Sequence, residues 1–191
     1  MEICFATHNE NKLEELRQML PQYQIVGLTD IGCNEEIPET GATLSENSRI
    51  KATHVSSHYS INCFADDTGL EVHALDGEPG VYSARYAGDD RDNLANINLL
   101  LSKLETCTDR SARFRTVITL IIDGEEHQFE GIVNGTIIEE LRGSQGFGYD
   151  PVFIPDGYEE TFAEMSSESK NAISHRGRAV AKLVEFLEKR A

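Results

Sequence analysis

Short apolar runs and amphipathic stretches take turns along the first half of the chain. Residues 2–7, EICFAT, form an apolar run too short for a helix and read as a buried strand. Residues 8–11 turn the chain, and Asn9 is placed to cap a helix whose Leu13, Leu16 and Leu20 recur at helical spacing. A second short strand follows at residues 24–28, then a loop over residues 29–41 that carries Glu35, Glu36 and Glu39. Residues 43–59 read as a helix with Asn47, Lys51 and His54 on one face. Residues 61–65 read as a strand, and Thr68-Gly69 as the start of a turn into an apolar run at residues 70–75. A helix over residues 90–107 turns Leu94, Ile97, Leu101 and Leu104 to the core. Residues 113–122 and 126–133 are strands joined through Asp123-Gly124, a strong hairpin signal. A last helix over about residues 174–190 buries Val180, Leu183 and Leu187. Strands and helices that alternate early, with a hairpin late, predict an α/β fold with a mixed sheet flanked by helices.

The length of 191 residues suits one domain spanning residues 1–191, or one core with two lobes. No repeat, low-complexity segment or Pro/Ser-rich linker breaks it. A formal net charge of −16 argues against a nucleic-acid partner, which needs a basic face. It leaves room for a small phosphorylated ligand, because local charge decides that. The local charge is uneven: residues 18–48 and 52–84 hold no Lys or Arg, so Lys12, Lys51 and the stretch 170–178 stand out. The four cysteines form no C-x-x-C and none has a His at zinc-ligand spacing, which points to a reducing compartment. The N-terminus has no secretory pattern, and no apolar run reaches the ~18 residues of a membrane span. A cytoplasmic protein without a membrane partner is expected.

Four stretches carry candidate chemistry. THNENK, Thr7, His8, Asn9, Glu10, Asn11 and Lys12, lies where a strand ends and a helix starts. Helix N-termini bind anions, and Lys12 adds a full charge. Taken alone it is an ordinary capped turn. FADDTGLEV places Asp66 and Asp67 side by side. The pair is either a solvated turn or the ligand set of a hard divalent cation with a general base beside it. Adjacent side chains on a strand point opposite ways, so the two acids do different jobs unless the chain turns between them. GFGYDPVF offers Phe147 and Tyr149 as stacking faces, with Gly146 and Gly148 allowing close approach of a ligand. SSESKNAISHRGRA gathers Lys170, His175, Arg176 and Arg178 around a helix start, where cations oppose the helix dipole unless an anionic or acceptor-rich ligand is bound. Together these parts suit a metal-dependent nucleotide hydrolase.

The same residues carry a resemblance. T-H-N-x-N-K, E-T-G, A-D-D-[ST]-G-L, G-x-P-G-V-Y-S-A-R-Y-A-G, G-F-G-Y-D-P-x-F and K-x-x-I-S-H-R occur in order over nearly the whole chain. They resemble the inosine triphosphate pyrophosphatase family, which removes nonstandard purine nucleoside triphosphates (ITP, dITP, XTP) from the nucleotide pool. The resemblance implies an elongated α/β fold with two lobes and a cleft, a homodimer, Mg²⁺, and hydrolysis to nucleoside monophosphate and pyrophosphate. It implies that Thr7–Lys12 and Lys51 grip phosphates and that Glu39 and Asp67 hold Mg²⁺. Asp67 would also accept the proton of the attacking water, with Asp66 in support and Thr68 touching substrate. Phe147 would stack on the purine, with Gly148, Tyr149 and Asp150 lining the pocket and Lys170, His175 and Arg176 at the base end. The segment 77–88 goes to architecture or the dimer contact.

Two other readings remain in view. One is a house-cleaning pyrophosphatase for other modified nucleotides. The other is a nucleotide-binding regulator without turnover, which the intact Asp66-Asp67 pair and Glu39 argue against. A phosphatase with a covalent aspartate normally needs D-x-D after the first strand, where this chain has T-H-N.

Overall fold

The computed structural model describes residues 2–190. Six strands form one mixed sheet in the order β2-β1-β3-β4-β5-β6. They are β1 (Glu2–Phe5), β2 (Gln24–Val26), β3 (Cys63–Val72), β4 (Ser111–Ile122), β5 (Glu125–Ile137) and β6 (Phe153–Pro155). β1 pairs in parallel with β2 and β3, and β5 pairs antiparallel with β6. The helices are α1 (Glu10–Met19), α2 (Leu44–Tyr59), α3 (Asn93–Lys103), α4 (Ser167–Ile173) and α5 (His175–Arg190). The chain divides into two compact units. The first comprises Met1–Asp67, Thr116–Gly131 and Gly177–Ala191, and the second Thr68–Arg115 and Ile132–Arg176.

In the first unit β1 and the start of β3 are buried on both faces, as parallel strands usually are. Ile3, Phe5 and Phe64 join the apolar faces of α1 and α5 in one cluster, while Cys4, Ala6, Cys63 and Ala65 meet Val55 of α2 in another. The register sets Phe5 opposite Phe64, and their rings stack with centroids 4.8 Å apart. Truncating either ring to Ala would cost about 3–5 kcal/mol. The second unit has its own core, where Leu70, Ile97, Leu100, Phe114, Phe153 and Phe162 pack.

Local chemistry explains most boundaries. Asn9 caps α1 by accepting from Lys12 N (3.2 Å). Thr43 and Glu46 form a reciprocal capping box at α2, which Ser60 ends in a left-handed conformation. Asp92 caps α3 by accepting from Ala95 N. Asp123 and Gly124 both take positive φ (53° and 80°), the type I′ geometry expected of this hairpin.

Two expectations are corrected. Thr68-Gly69 is not a turn, because β3 runs unbroken from Cys63 to Val72 through both aspartates. Its turn-like composition is overridden by pairing with neighbours on both edges. Leu94 is 56% exposed, and Leu100 takes its place in the core. The helix begins after its Asp92 cap, which rotates Leu94 outward. The last helix, α5, runs from His175 to Arg190 as expected, but a separate short helix, α4, not foreseen from the sequence, precedes it, capped by Ser166 and ended by Ser174. Lys170 is therefore a helix residue in its own right.

The Gly-rich segment at residues 77–88 contains a 3₁₀ turn, Gly80–Arg85, with an architectural role inside the second unit. Ser83 Oγ accepts from Leu70 N (2.9 Å) and donates to the Gly80 carbonyl (2.6 Å). A Cβ on Gly69 would meet Gly80 O at 2.6 Å, so this approach requires glycine.

Candidate active site

The first unit holds a buried charge cluster built from four elements. β3 supplies Asp66 and Asp67, 2% and 7% exposed. α1 supplies Lys12, whose Nζ donates to Asp66 Oδ1 at 2.9 Å. α2 supplies Lys51, and the loop before it supplies Glu39, which accepts from Lys51 Nζ at 2.6 Å. Lys51 Nζ also stands 3.8 Å from Asp67 Oδ1. The two neighbouring acids thus take different lysines, as the alternation of an unbroken strand requires.

Burial and charge compete at each group. Burial pushes the Asp67 carboxyl above its ordinary range, and the positive charges of Lys51 and Lys12 do not offset it, with Glu39 and Asp66 adding repulsion. Burial also acts to raise Glu39, but the Lys51 charge and hydrogen bond outweigh it and hold Glu39 below the usual carboxylate value. Burial would strip the proton from Lys51, yet Asp67, Glu39 and Asp66 raise its pKa above that of an ordinary lysine.

The turn before α1 lies beside this cluster in the same unit. Thr7 Oγ1 accepts from Asn9 N (3.1 Å), and Asn9 Oδ1 is committed to the cap. His8, Asn9, Glu10 and Asn11 are exposed at the N-terminal end of α1, where N–H groups and the dipole favour an anion. His8 Nε2 lies 3.0 Å from the Glu35 carbonyl. The E-T-G turn is shaped by a residue whose role the sequence reading passed over. Asn47 Oδ1 accepts from Gly41 N at 2.8 Å, and a Cβ on Gly41 would strike that oxygen at 2.7 Å. The signal was present, since Asn47 lies one turn before Lys51 on the same helix face.

Asp67 ends the first unit, and Thr68 opens the second. There Arg176 Nη2 lies 3.4 Å from Thr68 Oγ1. The Phe147 loop is held by Asp150, which accepts from Phe147 N (3.0 Å) and from buried Lys170 (2.7 Å). Lys170 and Arg176 lie over the half-buried Phe147 ring, 5.0 and 5.6 Å from its centroid. Gly148 takes a positive φ of 62° beside it. Tyr149 offers no stacking face: its ring is buried and its hydroxyl donates to the Ser83 carbonyl at 2.7 Å. His175 is also buried, with its ring stacked on Phe114 at 4.6 Å. Arg178, by contrast, is exposed. The second unit thus groups an aromatic face with two buried cations.

The donor set of the first unit suits a hard divalent cation. Glu39, Asp66 and Asp67 offer carboxylate oxygens, the ligands Mg²⁺ takes. Burial disfavours the Asp67 charge by more than the two lysines offset, and a bound dication would favour the charged form.

Comparison with known proteins finds relatives over nearly the whole chain. The Ham1 family pattern matches residues 3–186. A dITP/XTP pyrophosphatase of Christiangramia forsetii is 54% identical over 99% of this chain and 100% of its own length. One from Porphyromonas gingivalis is 56% identical over 97% of this chain and 96% of its own. The solved structure of the Staphylococcus aureus Ham1 protein superposes with a TM-score of 0.91 at 41% identity, covering 100% of both chains. A HAM1 protein from Coxiella burnetii gives 0.91 at 38%, covering 99% of each. Matched over nearly its whole length by the family pattern and sharing the fold, this chain belongs to the Ham1 family.

Proposed function

We propose that this protein hydrolyses nonstandard purine nucleoside triphosphates (ITP, dITP, XTP) to the monophosphate and pyrophosphate, cleansing the nucleotide pool. The observation that carries the reading is the buried cluster of Glu39, Asp66, Asp67, Lys12 and Lys51 at the heart of the first unit. The relatives named dITP/XTP pyrophosphatases support it.

Glu39 and Asp67 would hold Mg²⁺. When bound, the ion neutralises phosphate oxygens and lowers the pKa of coordinated water. Lys12, Lys51 and the N–H groups at the start of α1 bind and orient the triphosphate; positioning and charge neutralisation are most of what phosphoryl transfer requires. Asp67, ionised, accepts the proton of the attacking water, and Asp66 fixes Lys12 beside it. Phe147 stacks on the purine, Thr68 touches the nucleotide, and Lys170 and Arg176 supply charge at the base end. A purine with oxygen at position 6 is an acceptor there, whereas adenine leaves a donor facing donors. Asp150 and Tyr149 set the loop, and His175 is buried against the Phe114 ring.

The chain acts as one catalytic domain over residues 1–191, as a cytoplasmic homodimer with no nucleic-acid partner. Incubation with ITP, dITP, XTP, ATP, dUTP and a methylated triphosphate, with Mg²⁺, tests the reading. Pyrophosphate should be released chiefly from the first three. Release of orthophosphate, preference for dUTP or the methylated substrate, or binding without turnover would reject it.

A further inference from the structure

The loop at residues 29–41 brings a second set of ligand atoms together on the first unit, distinct in chemistry from the carboxylate–lysine cluster. Cys33 is fully buried, Glu35 is exposed, and His54 on α2 is partly exposed. The Cys33 sulfur, a Glu35 carboxylate oxygen and a His54 ring nitrogen all lie within 4.8 Å of one another. His54 Nε2 stands 3.0 Å from Glu35 Oε1. We propose that Cys33, Glu35 and His54 form a binding site for a transition-metal dication of the Zn²⁺ class.

The donor types favour this metal class. A thiolate and an imidazole select Zn²⁺ or Co²⁺ over Mg²⁺, which takes oxygen. Bonds of about 2.0–2.3 Å at tetrahedral angles place ligand atoms roughly 3.3–3.8 Å apart. The spacing here closes to that through a shift of about 1 Å, which the exposed Glu35 side chain can make. Three protein ligands leave one position for water, the pattern of an open zinc site. The surroundings supply outer support, which orients ligands. The His58 ring stacks on His54 at 4.2 Å, and His58 Nδ1 lies 2.8 Å from the His54 carbonyl. Binding replaces the thiol proton, which leaves to solvent, and the thiolate takes the metal.

Such an ion would tie the loop to α2. The same loop carries Glu39 four residues further on, and α2 carries Lys51 one turn before His54. The Glu35 carbonyl also touches His8 in the turn before α1. A metal here would therefore brace the segment that aligns Glu39 with Lys51 without entering the site.

Titration of the full chain with Co²⁺ tests this, read by its thiolate-to-cobalt charge-transfer absorption. A single equivalent should bind with that band, and Zn²⁺ should displace it. The band should vanish in Cys33→Ser, and affinity should fall about tenfold or more in His54→Ala. It should persist in Asp67→Asn, which alters only the carboxylate cluster, and in Cys107→Ser. A wild-type protein without the band, or a band that survives Cys33→Ser, overturns the proposal. Should Cys33→Ser fail to fold, His54→Ala and Glu35→Gln decide, and unchanged affinity in both overturns it.

Discussion

Asp67 is a residue whose charge costs stability and, in the proposed reaction, serves as the base. Its folded pKa is raised by burial, so the folded state binds its proton more tightly than the unfolded chain does. By linkage, the stability tied to that proton is fully present below the unfolded value of about 3.9 and is lost as pH rises through the folded pKa. At neutral pH the ionised side chain is therefore a net burden on the metal-free fold. Asp67→Asn should raise Tm at pH 7, with the gain shrinking as the pH falls toward 4. The same change should cut turnover by at least about 10²–10⁴, the usual worth of general-base help alone. Thermal melts across pH, beside steady-state rates on ITP, check both halves. An unchanged Tm together with near-normal turnover would remove Asp67 from both roles. Lys12→Ala should behave differently. It removes a charge partner of buried Asp66, so it should lower Tm, and it should raise KM for ITP and ATP alike.

At the scale of elements, the site depends on a few short segments held by glycine geometry. Gly146 takes a φ of 70°, and a Cβ there would fall 2.1 Å from Asp150 Oδ2, the oxygen that receives Phe147 N and Lys170. Gly146→Ala should displace the Phe147 loop and leave the phosphate cluster intact. The expected loss of about 1 kcal/mol or more corresponds to a Tm drop of roughly 2–4 °C for a chain of this size. Discrimination between ITP and ATP should fall, while inhibition by pyrophosphate stays as in the wild type. If pyrophosphate inhibition weakens instead, the loop serves the phosphate end. Helices with strong caps or clear apolar spacing were legible in the sequence, as α1 with Asn9 and α5 with Val180, Leu183 and Leu187 show. The strand through Asp66–Gly69 was not, because its composition is that of a turn and only its sheet neighbours hold it extended. The partners of the charged residues were equally out of reach. Spacing suggested that Asp66 and Asp67 would separate in role, but which lysine each would meet depends on α1 and α2 packing on β3. Tyr149 shows the converse: an aromatic in a Gly-rich loop looks like a stacking platform until a buried carbonyl claims its hydroxyl.

At the scale of the whole molecule, charge sets how a triphosphate must arrive. The chain carries a formal −16, and the cluster proposed to hold the phosphates sets two lysines against three carboxylates, leaving one net negative charge. A free triphosphate therefore meets repulsion both at long range and locally. One dication reverses the local sign to one net positive charge. ITP should bind at least about tenfold more tightly with Mg²⁺ than in EDTA, a difference of about 1.4 kcal/mol, which a single change of charge sign at contact distance readily supplies. In EDTA the residual affinity should improve as salt rises, because screening weakens repulsion. Asp67→Asn, which neutralises the cluster, should bind ITP in EDTA more tightly than wild type does, although it turns over less. Calorimetry with a non-hydrolysable ITP analogue, at low and moderate salt with and without Mg²⁺, measures all three. Binding in EDTA that is as tight as with Mg²⁺, and that weakens with salt, would mean that the lysines dominate and that the triphosphate needs no metal to enter.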